Sequence, residues 1–223
     1  MDDEQADALL AKAEKRWPRD VFTNVSLSEA RLSRGDRDGA TRYARRVLEL
    51  DPRNDFALLL VSTVDVERGD YQAARSRYAA AYPELLAAEP PKLDAQTYGA
   101  ASDLASILEK TGERERAELL FDRSEQYLRA LPRPPRDDGL AMVGLHLARG
   151  QKKEALAAFR EAVKAGWNRA HWRSYRYDPL FAQIRDKPEV KAVYAGIERD
   201  MARQRALLAA RPKDAPLIPP PSR

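Results

Sequence analysis

A period of 34 residues runs through this chain and restricts it to a small set of folds. Gly35 and Gly69 are 34 positions apart, and so are Ala40 and Ala74. Two more glycine–alanine pairs with the same five-residue spacing follow after insertions, Gly112 with Ala117 and Gly150 with Ala155. Self-similarity at this period is typical of arrays in which each unit is a small motif that packs on its neighbours. The spacing predicts an all-α solenoid of four helix–turn–helix units.

Each unit carries residues suited to a tight turn between two helices. Glycine adopts the left-handed backbone conformation that ends a helix without steric cost. The alanine five residues later lets the second helix approach the first closely, and a larger side chain follows one turn on, as Tyr78, Phe121 and Phe159. Side chains four apart share one helix face. We therefore expect both residues of each pair to be buried between the helices.

These spacings resemble the tetratricopeptide repeat (TPR), a helix pair with a fixed pattern of large and small residues. In the second unit the pattern falls on Leu58, Val61, Ser62, Asp65, Ala74, Tyr78 and Ala81. Arg31 and Asp65 stand where the family usually has an aromatic residue, and Ala44 replaces a phenylalanine. The resemblance implies a right-handed α-solenoid that serves as a non-catalytic scaffold for protein–protein interaction.

The register divides the chain into an array, a capping segment and a tail. We predict a TPR array over 1–165, with repeats at about 21–54, 55–88, 98–131 and 136–165. Residues 3–17 match the second helix of a repeat, because Ala6, Leu10 and Ala13 lie 34 before Ala40, Ala44 and Val47. A solenoid helix with an open apolar side needs a neighbour, so we expect a further helix upstream in a longer protein; an N-terminal cap is the alternative.

The C-terminal part resembles the segment that closes TPR regions in larger bacterial regulatory or assembly proteins. The resemblance is carried by Trp167 and Trp172, by residues 178–181 (Asp-Pro-Leu-Phe) and by residues 200–204 (Asp-Met-Ala-Arg-Gln). We predict an aromatic-rich loop and capping helices over 166–210. The five prolines among residues 211–223 predict an extended, proline-rich tail.

Composition favours a binding module over an enzyme. The sequence has no cysteine and two histidines, His146 and His171, which are too far apart to share a metal by local spacing. No phosphate-binding loop or nucleophile elbow occurs. We expect no enzyme activity, metal or cofactor, and we expect His146 to be a packed core residue. The chain starts with an acidic stretch unlike a signal peptide, and no apolar run approaches the roughly 20 residues that cross a bilayer. We therefore expect a soluble protein; the compartment, cytoplasm or periplasm, is left open.

The predicted binding site is the groove made by the first helices. By register its wall contains Phe22, Val25, Glu29, Leu32, Phe56, Leu59, Thr63, Val66 and Glu67, and further along Ser102, Ser106, Glu109, Leu140, Gly144 and Leu147. An exposed apolar strip usually marks an interaction site, so the expected partner is another protein or peptide, for example a helix with basic flanks. Alternatively, Phe22 and Phe56 pack between adjacent first helices. The partner helix could instead be the chain's own C-terminal segment, which would give a self-associated protein.

A second candidate surface combines aromatic and basic residues near the C-terminus: Trp167, His171, Trp172, Arg173 and Tyr175. Such residues can stack on single-stranded bases, so an accessory nucleic-acid or regulator-binding domain is the alternative function. The favoured interpretation is an aromatic cluster that seals the end of the solenoid. The 39 basic residues are interspersed with 35 acidic ones, which does not favour nucleic acid as the partner.

Overall fold

The structure is a computed structural model that describes residues 3–87, 89, 92–131, 140–167 and 180–211. Within these ranges it contains helices and no strand. The helices are α1 (Asp3–Arg16), α2 (Val21–Ser33), α3 (Arg37–Leu50), α4 (Asp55–Glu67), α5 (Tyr71–Ala81), α6 (Tyr98–Thr111), α7 (Arg114–Ala130), α8 (Ala141–Ala148), α9 (Lys152–Lys164), α10 (Ala182–Arg185) and α11 (Pro188–Ala209). The predicted all-α fold is confirmed.

Consecutive helices pack in pairs, and each pair packs on the next. The pairs are α2 with α3, α4 with α5, α6 with α7, and α8 with α9; between pairs, α3 packs on α4, α5 on α6 and α7 on α8. By compactness the chain divides into residues 1–183, which hold the paired helices, and residues 184–223, which hold α11. Residues 1–183 have the architecture of a helical-repeat solenoid.

The turn inside each pair is built on a left-handed glycine, as predicted. Gly35, Gly69, Gly112 and Gly150 have φ values of 79°, 78°, 88° and 73°. At Gly69 the glycine N–H donates to the Val66 carbonyl (3.0 Å), and the next N–H, of Asp70, donates to the Asp65 carbonyl (2.9 Å). These two bonds satisfy carbonyl groups that the end of a helix leaves without partners.

Side-chain caps begin the helices of the first two units. Asp20, Asp36, Asn54 and Asp70 each precede a helix and accept a hydrogen bond from the backbone N–H three residues later, at 2.7–3.2 Å. An aspartate or asparagine in this position satisfies one free donor of the first turn. The capped starts and glycine-ended turns fix where one helix stops and the next begins.

The alanines and aromatic residues of the period form the core. Ala40, Ala74, Ala117 and Ala155 have no exposed surface, and Tyr78, Phe121 and Phe159 are at most 1% exposed. The predicted burial of both residue types is therefore confirmed. Burying such aromatic side chains contributes on the order of 2–3 kcal/mol each, whereas each alanine mainly permits the helices to approach.

The long connection between α5 and α6 adds to the core. It begins with a 3₁₀ helix, Pro83–Leu86, in which Leu85 is fully buried, and Leu93 joins the same hydrophobic cluster. The neighbouring Tyr78 is buried and donates its hydroxyl to an Asp103 carboxylate oxygen at 3.0 Å. Burial, and then the negative charge of Asp103, raise the pKa of Tyr78 well above its ordinary value. The connection is thus anchored at both ends.

Candidate protein-binding surface

The outward face of α2 exposes one large aromatic side chain. Phe22, in the first turn, is 78% exposed, whereas Val25 and Glu29 are half-buried. Val25 packs at the edge of the cluster formed by α2, α3 and α4. The buried Ser28 hydroxyl donates to the Ala40 carbonyl at 2.8 Å and holds α2 close to α3. Phe22 is therefore the accessible apolar feature of this helix.

The outward face of α4 is more covered. Phe56 packs against the same cluster as Val25, and Val66 packs against the next cluster along the array. Leu59 and Thr63 are half-buried, and the Thr63 hydroxyl donates to the Leu59 carbonyl at 2.8 Å. The apolar side chains that the register places here are therefore shared between the core and the surface.

The acidic edge of the predicted groove is already paired in part. Glu67 is exposed, and its carboxylate lies 2.5 Å from the Arg37 guanidinium at the start of α3. Two residues earlier, the buried Asp65 pairs with Arg77 of α5. A partner's cations would have to share these carboxylates, so charge at this edge is a weaker source of affinity than an apolar contact with Phe22.

In α6 and α8 small residues dominate the corresponding face. Gly99 and Gly144 are partly exposed, and a Cβ atom added to either would meet nothing within 4 Å. Ser106 and Glu109 are also half-buried. A glycine inside a helix costs about 0.5–1 kcal/mol relative to alanine, and at Gly144 no close packing in the described structure requires it.

Four side chains that the register assigned to this wall lie in the core instead. Leu140 and Leu147 are 1% exposed, Ser102 is 8% exposed and Leu32 is 9% exposed. Leu32 is buried because it packs in the cluster formed by α2, α3 and α4. In the fourth repeat, α8 contacts α6, α7 and α9, so only a narrow face remains outside. The accessible wall of the third and fourth units is consequently smaller and less apolar than the sequence predicted.

An acidic face on α7 was not predicted. Arg149, at the end of α8, has a 9% exposed side chain that contacts Glu118 (3.0 Å), Glu125 (2.7 Å) and Asp122, and its guanidinium lies 5.1 Å from the Phe121 ring centroid. Burial lowers the pKa of Arg149, but the hydrogen bonds to Asp122 and Glu118 outweigh it and raise the pKa overall. These carboxylates are thus paired within the fold.

The second candidate surface is described only in part. Trp167 is 6% exposed and packs edge-on against Phe159, with ring centroids 6.0 Å apart. His171, Trp172, Arg173 and Tyr175 lie outside the described residues. Gly166 (φ 100°) ends α9 in the same way as the other turn glycines, and it turns the chain so that the Trp167 ring packs back on α9. Trp167 is thus buried against Phe159 of α9.

His146 is 8% exposed, and its Nδ1 lies 2.8 Å from the Gln151 side-chain oxygen across the turn after α8. It is a packed residue, as predicted. Among the described residues no cluster of three or more histidine, aspartate or glutamate side chains has the geometry to hold a metal ion. None of the described helices is long and apolar enough to cross a membrane.

The paired helices, left-handed glycine turns and buried alanines define a TPR-like helical-repeat fold. No protein-family model matches the chain, and no curated protein matches it. Among solved structures, the crystal structure of MamA is similar to this chain, with 16% sequence identity and a TM-score of 0.41 over 70% of this chain and 83% of that chain.

Proposed function

We propose that this protein is a non-catalytic TPR scaffold that holds a segment of another protein on the outward faces of its first helices. The exposure of Phe22 supports this most directly: a phenylalanine that is 78% exposed at a regular position of a repeat array offers an apolar anchor. Val25, Glu29, Leu59 and Thr63 continue the same wall, each half-buried. Repeat arrays commonly use such extended surfaces for binding.

The wall favours a partner helix that presents a narrow apolar stripe. Phe22 would contact a large apolar side chain of the partner. At the other end of the wall, the small residues Gly99 and Gly144 would let the partner's backbone approach closely. Because Glu67 already pairs with Arg37, basic flanks on the partner would add less than the apolar stripe. A partner helix whose apolar side chains recur at every third or fourth residue would fit this surface.

The test compares wall variants with a matched variant on the other side of the array. Phe22→Ala removes the anchor, and Gly144→Arg fills the open space in α8 without a clash at its Cβ. Ser76→Arg, at an exposed position of α5, is the control. After thermal melts confirm that all are folded, each protein is used to capture partners from its source cell, and captured partners are titrated against the purified variants.

We expect at least one partner to bind the parent and the Ser76→Arg control but to bind both wall variants at least about tenfold more weakly, the effect of losing one good anchor. If the partners bind Phe22→Ala and Gly144→Arg as tightly as the parent, the binding surface lies elsewhere. The resemblance of residues 166–210 to segments that close TPR regions supports a further part of the proposal, that the scaffold serves a larger bacterial regulatory or assembly protein.

A further inference from the structure

An arginine precedes the turn glycine in three of the four units, and its surroundings differ between units. These residues are Arg34, Arg68 and Arg149. The Arg149 side chain is only 9% exposed and pairs with carboxylates of α7. Arg68, by contrast, is exposed and makes no ion pair among the described residues. The contacts of Arg149 therefore indicate what an arginine at this position can bind.

The partners of Arg149 form one row on the second helix of the preceding unit. Its guanidinium lies 3.0 Å from Glu118 and 2.7 Å from Glu125, and it also contacts Asp122. The three carboxylates are at positions i, i+4 and i+7 of α7, so they share one face of that helix. The residue before the turn glycine of the fourth unit thus lies along this row of the third unit.

The same row in the first unit has no carboxylate. Gly35 and Gly112 are 77 residues apart, which makes Thr41, Arg45 and Leu48 the equivalents of the three acidic residues. Thr41 is buried and Leu48 is half-buried, whereas Arg45 is exposed and makes no ion pair among the described residues. An exposed cation therefore occupies the central position of the row, where the third unit has an aspartate.

Two contacts indicate that the end of α4 lies along this row of α3. Glu67, the residue before Arg68, pairs with Arg37 in the first turn of α3 at 2.5 Å. Leu48, at the far end of the row, packs against the core cluster to which α4 and α5 contribute. Arg45 and Arg68 thus lie on the two sides of one junction, between α3 and the second unit.

The junction carries an excess of positive charge. Arg42 lies one turn before Arg45 on α3, and it is also exposed and makes no ion pair among the described residues. Asp38 and Glu49 are exposed nearer the two ends of α3, and the described structure pairs neither with these arginines. We name Arg42, Arg45 and Arg68 the junction arginines. Neighbouring like charges repel, and a carboxylate placed between them would replace that repulsion by attraction.

We propose that the junction arginines bind a helical segment of another protein that carries carboxylates at positions i, i+4 and i+7. The row on α7 is the model for this ligand, because the same spacing pairs with Arg149 within the fold. Arginine suits the role, since its planar guanidinium forms paired hydrogen bonds with carboxylates. A second copy of this chain is a weaker ligand, because its own α7 carboxylates already pair with Arg149.

The size of the patch also favours a protein ligand. Nucleic-acid sites use a longer basic stripe that follows the phosphate backbone, whereas three cations are present here, on a helix that also exposes Asp38 and Glu49. None of the junction arginines belongs to the proposed wall of first helices. The junction would therefore be a second binding surface, and it goes beyond the proposed function.

The placement of Arg45 opposite Arg68 can be tested on the purified protein without a ligand. Arg45→Asp introduces the carboxylate that the third unit has at this position, so the urea midpoint of unfolding should rise. Arg68→Gln should lower the midpoint in the Arg45→Asp background, and it should leave the midpoint unchanged or raise it in the parent. Equal effects of Arg68→Gln in the two backgrounds would overturn the placement and the site with it.

Binding is tested with a labelled helical peptide of alanine and glutamine that carries three glutamates at i, i+4 and i+7. A second peptide has glutamine in place of the glutamates. Arg45→Gln/Arg68→Gln removes two junction arginines at exposed positions, and the control Lys152→Gln/Lys153→Gln removes the same charge at exposed positions of α9. After thermal melts confirm the folds, fluorescence anisotropy is measured at low salt, because exposed ion pairs are screened at high salt.

We expect the glutamate peptide to bind the parent and the α9 control equally, and to bind Arg45→Gln/Arg68→Gln at least about fivefold more weakly. The glutamine peptide should bind all three proteins at least as weakly as that variant binds the glutamate peptide. Equal binding of the two peptides would overturn the proposal, and so would equal weakening in the α9 control, because net charge alone would then be responsible.

Two further measurements separate the other occupants. If a single-stranded DNA oligonucleotide binds more tightly than the glutamate peptide and loses affinity in Arg45→Gln/Arg68→Gln, the ligand is nucleic acid and the proposal is wrong. Sedimentation velocity of the protein alone tests the second copy. Self-association of the parent that disappears in Arg45→Gln/Arg68→Gln would also overturn the proposal, whereas a parent that remains at the monomer mass of 25.2 kDa supports a separate protein as the ligand.

Discussion

The same substitution at two glycines of one unit is expected to have opposite effects on stability. Gly150 ends α8 with φ 73°, and Gly144 lies inside α8. At both positions a Cβ atom would meet nothing within 4 Å. Steric clashes with neighbouring residues are therefore absent in either case, and the backbone conformation alone determines the outcome of a change to alanine.

The magnitudes follow from that difference. The left-handed conformation costs a non-glycine residue about 1–2 kcal/mol, so Gly150→Ala should lower the free energy of unfolding by about 1 kcal/mol or more. In the helix interior, glycine is about 0.5–1 kcal/mol less favourable than alanine. Gly144→Ala should consequently raise the free energy of unfolding by about that amount, and the two variants should differ by roughly 2 kcal/mol.

The assay is urea unfolding followed by far-UV circular dichroism, with the slope of the free energy against urea compared among variants. An unchanged slope shows that the same surface is exposed on unfolding, so that midpoint shifts report stability. Gly150→Asn is a useful companion, because asparagine tolerates the left-handed conformation better than alanine does. If Gly150→Ala and Gly144→Ala shift the midpoint in the same direction, the assignment of the turn is wrong.

Three further predictions concern the core and the ion pairs. Ala74→Asp should lower the free energy of unfolding by more than about 2 kcal/mol, because a carboxylate would be buried without a partner. The control Ser76→Asp, at an exposed position of the same helix, should change it by at most about 0.5 kcal/mol. Thermal melts of the two variants and the parent test the difference. Arg149→Met should cost about 1–2 kcal/mol at low salt and less at high salt, since the contacts with exposed carboxylates are screened. The hydrogen bonds from Arg75 hold the pKa of Glu113 below its ordinary value. The stability from this pair is therefore present above the unfolded pKa of about 4.3 and is lost as pH falls through the lower folded pKa. When the free energy of unfolding is measured at decreasing pH, Glu113→Gln should lose less stability than the parent does. An identical dependence on acid pH in the two proteins would contradict the assignment of this ion pair.

The fold could be predicted because it depends on local chemistry that recurs. A glycine that must be left-handed and an alanine five residues later identify a turn and a close helix contact in every unit, whatever the other residues are. The connection between α5 and α6 could not be predicted in the same way. Burial of Leu85 and Leu93 depends on a chain path that is present once, so no period points to it.

The candidate site was less predictable than the fold. Register assigns Phe22 and Phe56 to equivalent positions, and each is the second residue of its helix. Their exposed fractions nevertheless differ, because Phe56 packs on the cluster that includes Val25, whereas Phe22 is 78% exposed. Register alone does not state this difference. Likewise, an ion pair depends on the rotamers of two long side chains that lie about one repeat apart. Arg75 has the appearance of a solvent-facing residue in the sequence, yet its guanidinium makes two hydrogen bonds to Glu113, at 2.7 and 2.9 Å.

Long-range ion pairs join neighbouring units along the array. Pairs separated by 31 to 38 residues are Arg46 with Glu14, Arg53 with Glu84, Arg75 with Glu113, and Arg149 with Glu118. Pairs at the surface contribute about 0–1 kcal/mol each, less than the 3–5 kcal/mol that truncating a buried phenylalanine such as Phe121 costs. Apolar contacts therefore supply most of the cohesion, and the ion pairs favour the correct neighbour.

Because cohesion comes from nearest neighbours, a helix with one neighbour should open first. Of the described side chains of α1, from residue 8 onward, none is fully buried, whereas α6 in the middle of the array buries seven residues. Amide hydrogen exchange should consequently be fastest in α1 and slowest in α6. Equal protection of α1 and α6 in dilute protein would contradict the nearest-neighbour account of stability.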